Sequence, residues 1–319
     1  MSAGNKKQLR VVEVGPRDGL QNEAKIKSLS VEELCEKRVE LITGLADAGF
    51  MDVEAGAFVR ADRVPAMAGT DKVLEKLRNS RPDLWSTRKF WTLVPNQKGL
   101  ELAMKAGAKH ISVFTATSDA FNQKNIQMTV DESLAVLQPV VVEAKRNGIA
   151  VRGYVSTVWG CPYAGEIPPY KTLAVTEKLL SFGVEEVSLG DTIGVATPKQ
   201  VDTVLSLLPK SWPLAAHFHD TRGTAIANCL HAIEQGIHTV DSSAGGLGGC
   251  PYAVGASGNL ATEDLLYMLH GMGYETGVNL EKVCEASKLF SESMEITLPS
   301  RYYKAWQGTK KRAQGNPAC

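Results

Sequence analysis

The chain has 319 residues, of which 44% are hydrophobic and 22% are charged. This composition is typical of a globular protein and excludes a disordered, collagen-like or coiled-coil chain. There are 35 lysine and arginine residues and 35 aspartate and glutamate residues. The overall charge therefore does not favour binding to nucleic acid or to a membrane surface.

Neither a signal peptide nor a membrane span is expected. Residues 1–10 are polar, and no run of 18 apolar residues occurs in the sequence. The six cysteines are spread over the chain without the spacing of a zinc finger, which favours reduced thiols over a disulfide framework. We therefore expect a cytoplasmic protein.

In chain order, short β-rich runs alternate with segments that are compatible with helices. Eight such runs occur, at residues 9–14, 51–54, 90–94, 110–114, 149–155, 186–189, 214–218 and 237–240. Five of them follow a glycine, the residue that most often ends a helix in the left-handed conformation. Strand and helix alternation predicts a parallel sheet, and eight units in this length favour a closed (β/α)8 TIM barrel. A doubly wound open sheet is the alternative.

One α/β domain accounts for most of the chain. We assign residues 9–295 to the barrel and to an additional C-terminal helix near 280–294, because no linker interrupts them. Residues 1–8 are expected to be a polar lead and residues 296–319 a polar, solvated C-terminal tail.

Two histidines lie at the end of the seventh predicted strand, where a barrel of this type places its active site. His217 and His219 are two positions apart, so their side chains point to the same face of the strand. The pair favours a metal site, and two packing histidines with hydrogen-bonded rings are the alternative.

Asp18 is the expected third ligand, since it follows the first strand, two steps around a closed ring from the seventh. An Asp-Gly turn, with Arg17 in a surface ion pair, is the other interpretation. An amide such as Asn259 would complete a mixed nitrogen and oxygen set, which suits Mg²⁺ or Mn²⁺ better than a thiolate-bound zinc. Arg17 is then placed to hold an oxygen that gains negative charge during a reaction.

A glycine-rich run at residues 245–252 carries Cys250. It is either a loose connector or a loop that moves and approaches a ligand closely, and the cysteine favours the loop. The five residues Gly-Cys-Pro-Tyr-Ala at 249–253 also occur at 160–164. For Cys161, in the second copy, a buried structural thiol is the simpler interpretation.

Three ordered segments together resemble the 3-hydroxy-3-methylglutaryl-CoA (HMG-CoA) lyase family. They are residues 12–23 (VEVGPRDGLQNE), residues 188–194 (SLGDTIG), and residues 246–253 followed by 255–264 (GLGGCPYA and GASGNLATED). The resemblance extends over about residues 9–290. It implies a (β/α)8 barrel that cleaves HMG-CoA to acetoacetate and acetyl-CoA by a retro-Claisen reaction, as in leucine catabolism and ketone body formation.

The resemblance also implies roles for individual residues. The divalent cation would be held by Asp18, His217, His219 and Asn259. Arg17 would stabilise the thioester enolate, and Cys250 would lie on a mobile loop and act in proton transfer. The carboxylates of Glu54 and Asp191 would support the site. Gln21 and Gly249 would make further contacts to the acyl-CoA substrate. His217 is the first candidate for the base that accepts the hydroxyl proton, with Asp18 or a bound water as alternatives.

Two departures from the family pattern affect the expected substrate. Glu54 is followed by Ala-Gly-Ala where relatives usually have Thr-Thr-Ser, and the loop has Ala244-Gly245 where Val-Ala is usual. Because side-chain bulk is lost beside Glu54, a substrate with a longer C3 substituent is also a candidate. A condensing acyl-CoA and 2-oxo acid synthase, a metal-dependent hydrolase and a non-catalytic CoA-binding barrel are the other candidates. A homodimer is the default expectation for assembly.

Overall fold

The computed structural model of the protein describes residues 7–248 and 258–313. Its strands are β1 (Arg10–Glu13), β2 (Asp52–Ala57), β3 (Lys89–Leu93), β4 (His110–Ala116), β5 (Ala150–Ser156), β6 (Glu186–Asp191), β7 (Leu214–Phe218) and β8 (Thr239–Ser242). Its helices are α1 (Val31–Asp47), α2 (Thr70–Ser80), α3 (Pro82–Thr87), α4 (Gln97–Lys105), α5 (Asp119–Ile126), α6 (Val130–Arg146), α7 (Pro169–Phe182), α8 (Pro198–Leu205), α9 (Ala225–Glu234), α10 (Thr262–Gly271), α11 (Leu280–Met294) and α12 (Arg301–Ala313).

The eight strands form a closed parallel barrel in sequence order. Closure is made by β8 pairing with β1, with Arg10 opposite Thr239 and Glu13 opposite Ser242. The predicted (β/α)8 TIM barrel is therefore confirmed, and the open doubly wound sheet is wrong. The carboxyl ends of all eight strands lie at one end of the barrel, which is where such folds place their sites.

Local sequence signals explain where several helices begin and end. Ser30 caps α1, and the side chain of Glu33 accepts a hydrogen bond from the backbone of Ser30, which completes a capping box. Gly49, just after α1, has a φ of +113°, and a Cβ there would collide with the carbonyl of Gly277. Glycine is therefore needed at this position for both conformation and space.

Charged side chains occupy much of the barrel interior, in place of the branched apolar layers usual for this fold. Arg10 of β1 donates to Asp52 on β2 and to Glu186 on β6. Arg152 of β5 donates to Glu186 and to Asp241 on β8. Because β5 and β8 are not neighbours in the sheet, the Arg152–Asp241 contact crosses the interior of the barrel.

The C-terminal segment differs from the sequence expectation. The helix expected near 280–294 is present as α11. However, residues 301–313, which we expected within a polar solvated tail, form α12, and Tyr303 on this helix is buried. Asp264 on α10 holds the start of α12 by accepting hydrogen bonds from the Tyr302 backbone and from the Ser300 hydroxyl. Within the described residues, no helix is long and apolar enough to cross a membrane.

Candidate functional site

A tight turn after β1 positions two charged residues at the carboxyl end of the barrel. Residues Gly15–Gly19 form one π-helical turn, in which the backbone amides of Asp18 and Gly19 both donate to the carbonyl of Val14. Pro16 suits the start of such a turn, since it has no backbone N–H to satisfy. The turn places Arg17 and Asp18 over the barrel opening.

Asp18, His217 and His219 form a compact ligand triad. One possible ligand atom from each residue lies within 4.8 Å of the other two. Oδ2 of Asp18 is 3.9 Å from Nε2 of each histidine, and the two Nε2 atoms are 3.2 Å apart. The sequence prediction that these three residues converge is confirmed by this geometry.

The charge states of the triad reflect its surroundings. Burial alone would raise the pKa of Asp18, but Arg17 and the two histidines lower it to about 2. Burial and the neighbouring His217 lower the pKa of His219 to about 4. Burial would also lower the pKa of His217, but the carboxylates of Asp241 and Asp18 raise it above its ordinary value. The triad therefore combines one carboxylate and one neutral imidazole with a second imidazole that lies between two carboxylates.

Asn259 lies beside the triad, as the sequence predicted. Its amide nitrogen donates to Oδ2 of Asp18 at 2.9 Å and to the carbonyl of Leu247 at 3.2 Å. Asn259 also forms an isolated antiparallel bridge with His219. The side chain of Asn259 therefore lies against Asp18, next to the triad, with its amide nitrogen facing the carboxylate.

This donor set fits a divalent cation. The two Nε2 atoms face each other and can share at most one proton between them, so an imidazole lone pair is available beside the Asp18 carboxylate. Nδ1 of His219 has no hydrogen-bond partner among the described residues. Two imidazoles with a carboxylate and an amide make the mixed nitrogen and oxygen set that suits Mg²⁺ or Mn²⁺.

Arg17 is buried and held by two carboxylates. Its Nε donates to Oε2 of Glu54 at 2.6 Å, Nη2 contacts the same oxygen, and Nη1 contacts Oδ1 of Asp18 at 2.6 Å. Burial would lower the pKa of Arg17, but Glu54 and Asp18 raise it, so the guanidinium stays charged. Tyr154 lies 5.3 Å from the guanidinium carbon as a cation–π partner. The alternative of an exposed surface ion pair at Arg17 is therefore wrong.

The other predicted site residues lie at different distances from the triad. Glu54 contacts Arg17 and accepts a hydrogen bond from Ser112. Asp191, whose pKa burial raises to about 6, accepts from the backbone amides of Val195 and Ala196 and is not part of the triad. The backbone of Gln21 donates to the carbonyl of Asp18. The predictions for Gly249 and Cys250 concern residues outside the described ranges.

The family model described as HMGL-like matches residues 8–290. The mitochondrial hydroxymethylglutaryl-CoA lyase of Bos taurus is 47% identical over 302 residues, which cover 94% of this chain and 90% of the relative. A structure of HMG-CoA lyase from Bacillus subtilis has a TM-score of 0.88 and 42% identity, with 94% of this chain and 98% of that chain covered. A structure of HMG-CoA lyase from Acinetobacter baumannii, in complex with coenzyme A and 3-methylmalate, has a TM-score of 0.84 and 33% identity, with coverage of 93% and 95%. The chain belongs to the HMG-CoA lyase family. The resemblance found in the sequence is thus confirmed.

The structure explains one departure from the usual lyase sequence. A Cβ at Gly56 would collide with Nη2 of Arg38 and would lie 2.5 Å from the Thr70 hydroxyl. Arg38, on α1, is fully buried and donates from Nη2 to the carbonyl of Ala55 and to Thr70. The space released at position 56 is therefore filled by the protein's own guanidinium, so it adds no room for a longer substrate.

The second departure has a backbone cause. Gly245 has a φ of +64°, and a Cβ there would lie 2.5 Å from Cδ1 of Leu298. Its amide donates to the buried carboxylate of Glu263, and the neighbouring amide of Ala244 donates to Glu13. The alanine that most lyases of the family have at position 245 would be strained here.

Sequence reasoning missed Asp241 and Arg152, which lie directly beneath the lyase site. Asp241 contacts His217, and Arg152 contacts Asp241. The available signal was a charged residue inside a buried parallel strand, as in Val240-Asp241-Ser242 and Val151-Arg152-Gly153. Such strands are otherwise almost continuously apolar, so a charge there needs a buried partner.

Proposed function

We propose that this protein is a divalent-metal-dependent carbon–carbon lyase that cleaves HMG-CoA to acetoacetate and acetyl-CoA. The observation that carries the proposal is the ligand triad of Asp18, His217 and His219 beside the buried guanidinium of Arg17. A retro-Claisen cleavage needs one positive charge beside the C3 hydroxyl group and another beside the thioester oxygen. A cation site next to the fixed guanidinium supplies both. The family relationship supports the same reaction.

The cation site serves the first half of the reaction. A bound Mg²⁺ or Mn²⁺ acts as a Lewis acid that lowers the pKa of the C3 hydroxyl group. Asp18, His217 and His219 would hold the cation, and Asn259 would complete the set. Nε2 of His217 would bind the cation, and its Nδ1 faces the carboxylate of Asp241. This ring, the first candidate from the sequence, therefore keeps no lone pair for the hydroxyl proton, and our candidate for the base is Asp18 or a bound water.

Arg17 serves the second half of the reaction. When the C2–C3 bond breaks, its electron pair passes to C2 and then to the thioester oxygen as an enolate, while C3 becomes the ketone of acetoacetate. The planar guanidinium of Arg17 can donate hydrogen bonds to this enolate oxygen, and Glu54 fixes the orientation of the guanidinium. A proton delivered to C2 then completes acetyl-CoA.

We assign the delivery of that proton to Cys250, as the family resemblance implies. If it acts in proton transfer, Cys250→Ala lowers turnover by about 10²-fold and leaves Mn²⁺ affinity unchanged. Turnover and Mn²⁺ affinity are compared in the variant and the wild type. An equal loss of both would instead make this thiol structural.

The activity test offers the purified protein HMG-CoA and a long-chain C3 analogue with Mg²⁺, before and after chelation. We expect acetoacetate from the methyl substrate, loss of activity with chelator and recovery with added metal. Release of free CoA without acetoacetate would identify a hydrolase, and condensation with a 2-oxo acid would identify a synthase. Binding of CoA without turnover would contradict the proposal entirely.

Assembly and location remain predictions. We expect a homodimer, which sedimentation or light scattering measures directly. The cytoplasmic location expected from the sequence needs a direct test by fractionation, because the bovine relative is named as a mitochondrial enzyme.

A further inference from the structure

The two histidines of the ligand triad differ in what faces their Nδ1 atoms. Nδ1 of His217 lies 3.2 Å from Oδ2 of Asp241. Nδ1 of His219 is buried and has no hydrogen-bond partner within residues 7–248 and 258–313. The same residue type in the same site therefore has a fixed partner in one case and none in the other.

Asp241 is itself held rigidly. It is 1% exposed, its Oδ1 accepts from Nη2 of Arg152 at 2.7 Å, and its Oδ2 accepts from the Ser188 hydroxyl at 2.8 Å. These partners come from β5 and β6, neither of which is a neighbour of β8 in the sheet. The carboxylate therefore presents one oxygen to His217 in an orientation that two other strands determine.

This arrangement selects one tautomer of His217. A carboxylate only accepts hydrogen bonds, so the 3.2 Å contact requires the proton on Nδ1. Nε2 of His217 then carries a lone pair that points towards the triad. A histidine that binds a metal usually has its other ring nitrogen fixed by a carboxylate or carbonyl in this way.

The 3.2 Å contact between the two Nε2 atoms then has a definite direction. When His217 is neutral, its Nε2 has no proton, so Nε2 of His219 is the donor, which leaves Nδ1 of His219 as the unpartnered acceptor. A cation that binds both Nε2 atoms must displace that proton from Nε2 of His219. His217 is preset for a cation, whereas His219 must change its tautomer.

We propose that Asp241 is the positioning residue of the cation site: through Nδ1 it fixes the tautomer and ring orientation of His217, while His219 remains free to switch. This proposal rests on the proposed metal site. The competing explanation is that Asp241 acts only as a counter-ion for the buried Arg152.

The first test measures Mn²⁺ affinity by electron paramagnetic resonance in Asp241→Asn and in Ser188→Ala. Ser188→Ala is the matched control, since it removes one hydrogen bond to Asp241 but keeps the carboxylate. We expect Asp241→Asn to weaken Mn²⁺ binding about 10- to 100-fold and Ser188→Ala to weaken it less than threefold. Affinity in Asp241→Asn within twofold of wild type would overturn the proposal.

The second test needs no variant at Asp241 and so stands even if Asp241→Asn fails to fold. Two-dimensional NMR of the wild-type protein with ¹⁵N-labelled histidine reports each ring's tautomer, and His217→Gln and His219→Gln assign the two signals. In metal-free protein at pH 8 we expect the Nδ1–H form of His217 and the Nε2–H form of His219. On addition of Mg²⁺, only His219 changes, to Nδ1–H.

The outcomes separate this inference from the proposed function. An Nε2–H form of His217 in the metal-free protein overturns the role of Asp241, whatever the activity. An Nδ1–H form of His217 in a protein that binds no Mn²⁺ supports the role of Asp241 in fixing the tautomer and overturns the metal site.

Discussion

Two groups of buried charges lie at opposite ends of the barrel interior and differ in how completely they are paired. The N-terminal charge network consists of Arg10, Asp52, Arg152 and Glu186, in which each arginine contacts a carboxylate at 2.8–3.0 Å. In the ligand triad at the other end, one carboxylate faces two imidazoles whose Nε2 atoms point at each other.

The difference indicates which group is structural and which binds a ligand. In the N-terminal charge network, both cations and both anions are paired, Arg152 pairs in addition with Asp241, and Trp91 donates to Oδ1 of Asp52. In the ligand triad, Oδ1 of Asp18 is paired with Arg17, but Oδ2 of Asp18 and the Nε2 atoms of the two histidines converge without a cation between them. Buried ligand atoms that no protein cation neutralises indicate a binding site for a cation.

The largest expected effect comes from Asp18→Asn. It removes the only full negative charge of the triad, so we expect loss of Mn²⁺ binding and a fall in kcat/KM of about 10³-fold or more, since metal catalysis contributes several kcal/mol. Its matched control is Asp52→Asn in the N-terminal charge network, which should keep Mn²⁺ affinity. Equal loss of Mn²⁺ binding in both variants would remove the distinction between the two ends.

Arg17→Lys tests the guanidinium beside the triad while keeping its charge. Lysine cannot donate from a planar fork to both Glu54 and a developing enolate oxygen. We expect kcat to fall about 10²- to 10³-fold, with Mn²⁺ affinity changed only a few-fold. Steady-state kinetics and a Mn²⁺ titration check this, and unchanged kcat would exclude Arg17 from enolate stabilisation.

Asp52→Asn should act on stability. It removes the negative charge and one of the two oxygens that accept from Arg10, which is one-third exposed, so we expect a loss of about 1–2 kcal/mol in the free energy of unfolding at pH 7. Urea denaturation measures it, with Glu32→Gln as the control. Glu32 pairs with Lys72 and Lys76 at the surface, and its loss should leave the urea midpoint unchanged.

The smallest effect is the pH dependence of that difference. Burial would raise the pKa of Asp52, but Arg10 lowers it below its ordinary value of 3.8. A lowered folded-state pKa contributes stability that is fully present above 3.8 and is lost as the pH falls through the lowered value. The difference in the free energy of unfolding between wild type and Asp52→Asn should therefore become smaller below pH 3.8. A difference that grows there would contradict the lowered pKa of Asp52.

The parts of the fold that follow local rules were predictable. All eight strands were found from their composition and flanking glycines, and the convergence of Asp18 with His217 and His219 followed from strand ends meeting at one edge. Strand ends were less accurate: β2 runs to Ala57 and β4 to Ala116, beyond the predicted 54 and 114. These extensions add buried residues with small side chains, which carry little strand signal.

Contacts across the barrel interior were not predictable from one sequence. Arg152 and Asp241 are 89 positions apart, on strands that are not neighbours, so no local pattern relates them. The helix α12 was missed because it is mostly polar. It is stabilised by tertiary contacts, with Asp264 at its start and Tyr303 buried.

The central claim is that one divalent cation is held jointly by the turn after β1 and the end of β7. Its most direct test is an anomalous difference map from a crystal soaked in Mn²⁺. We predict a single peak about 2.0–2.3 Å from Oδ2 of Asp18 and from Nε2 of His217 and His219, absent in Asp18→Asn. A map with no peak at the triad, or with Mn²⁺ bound by neither histidine, would contradict it.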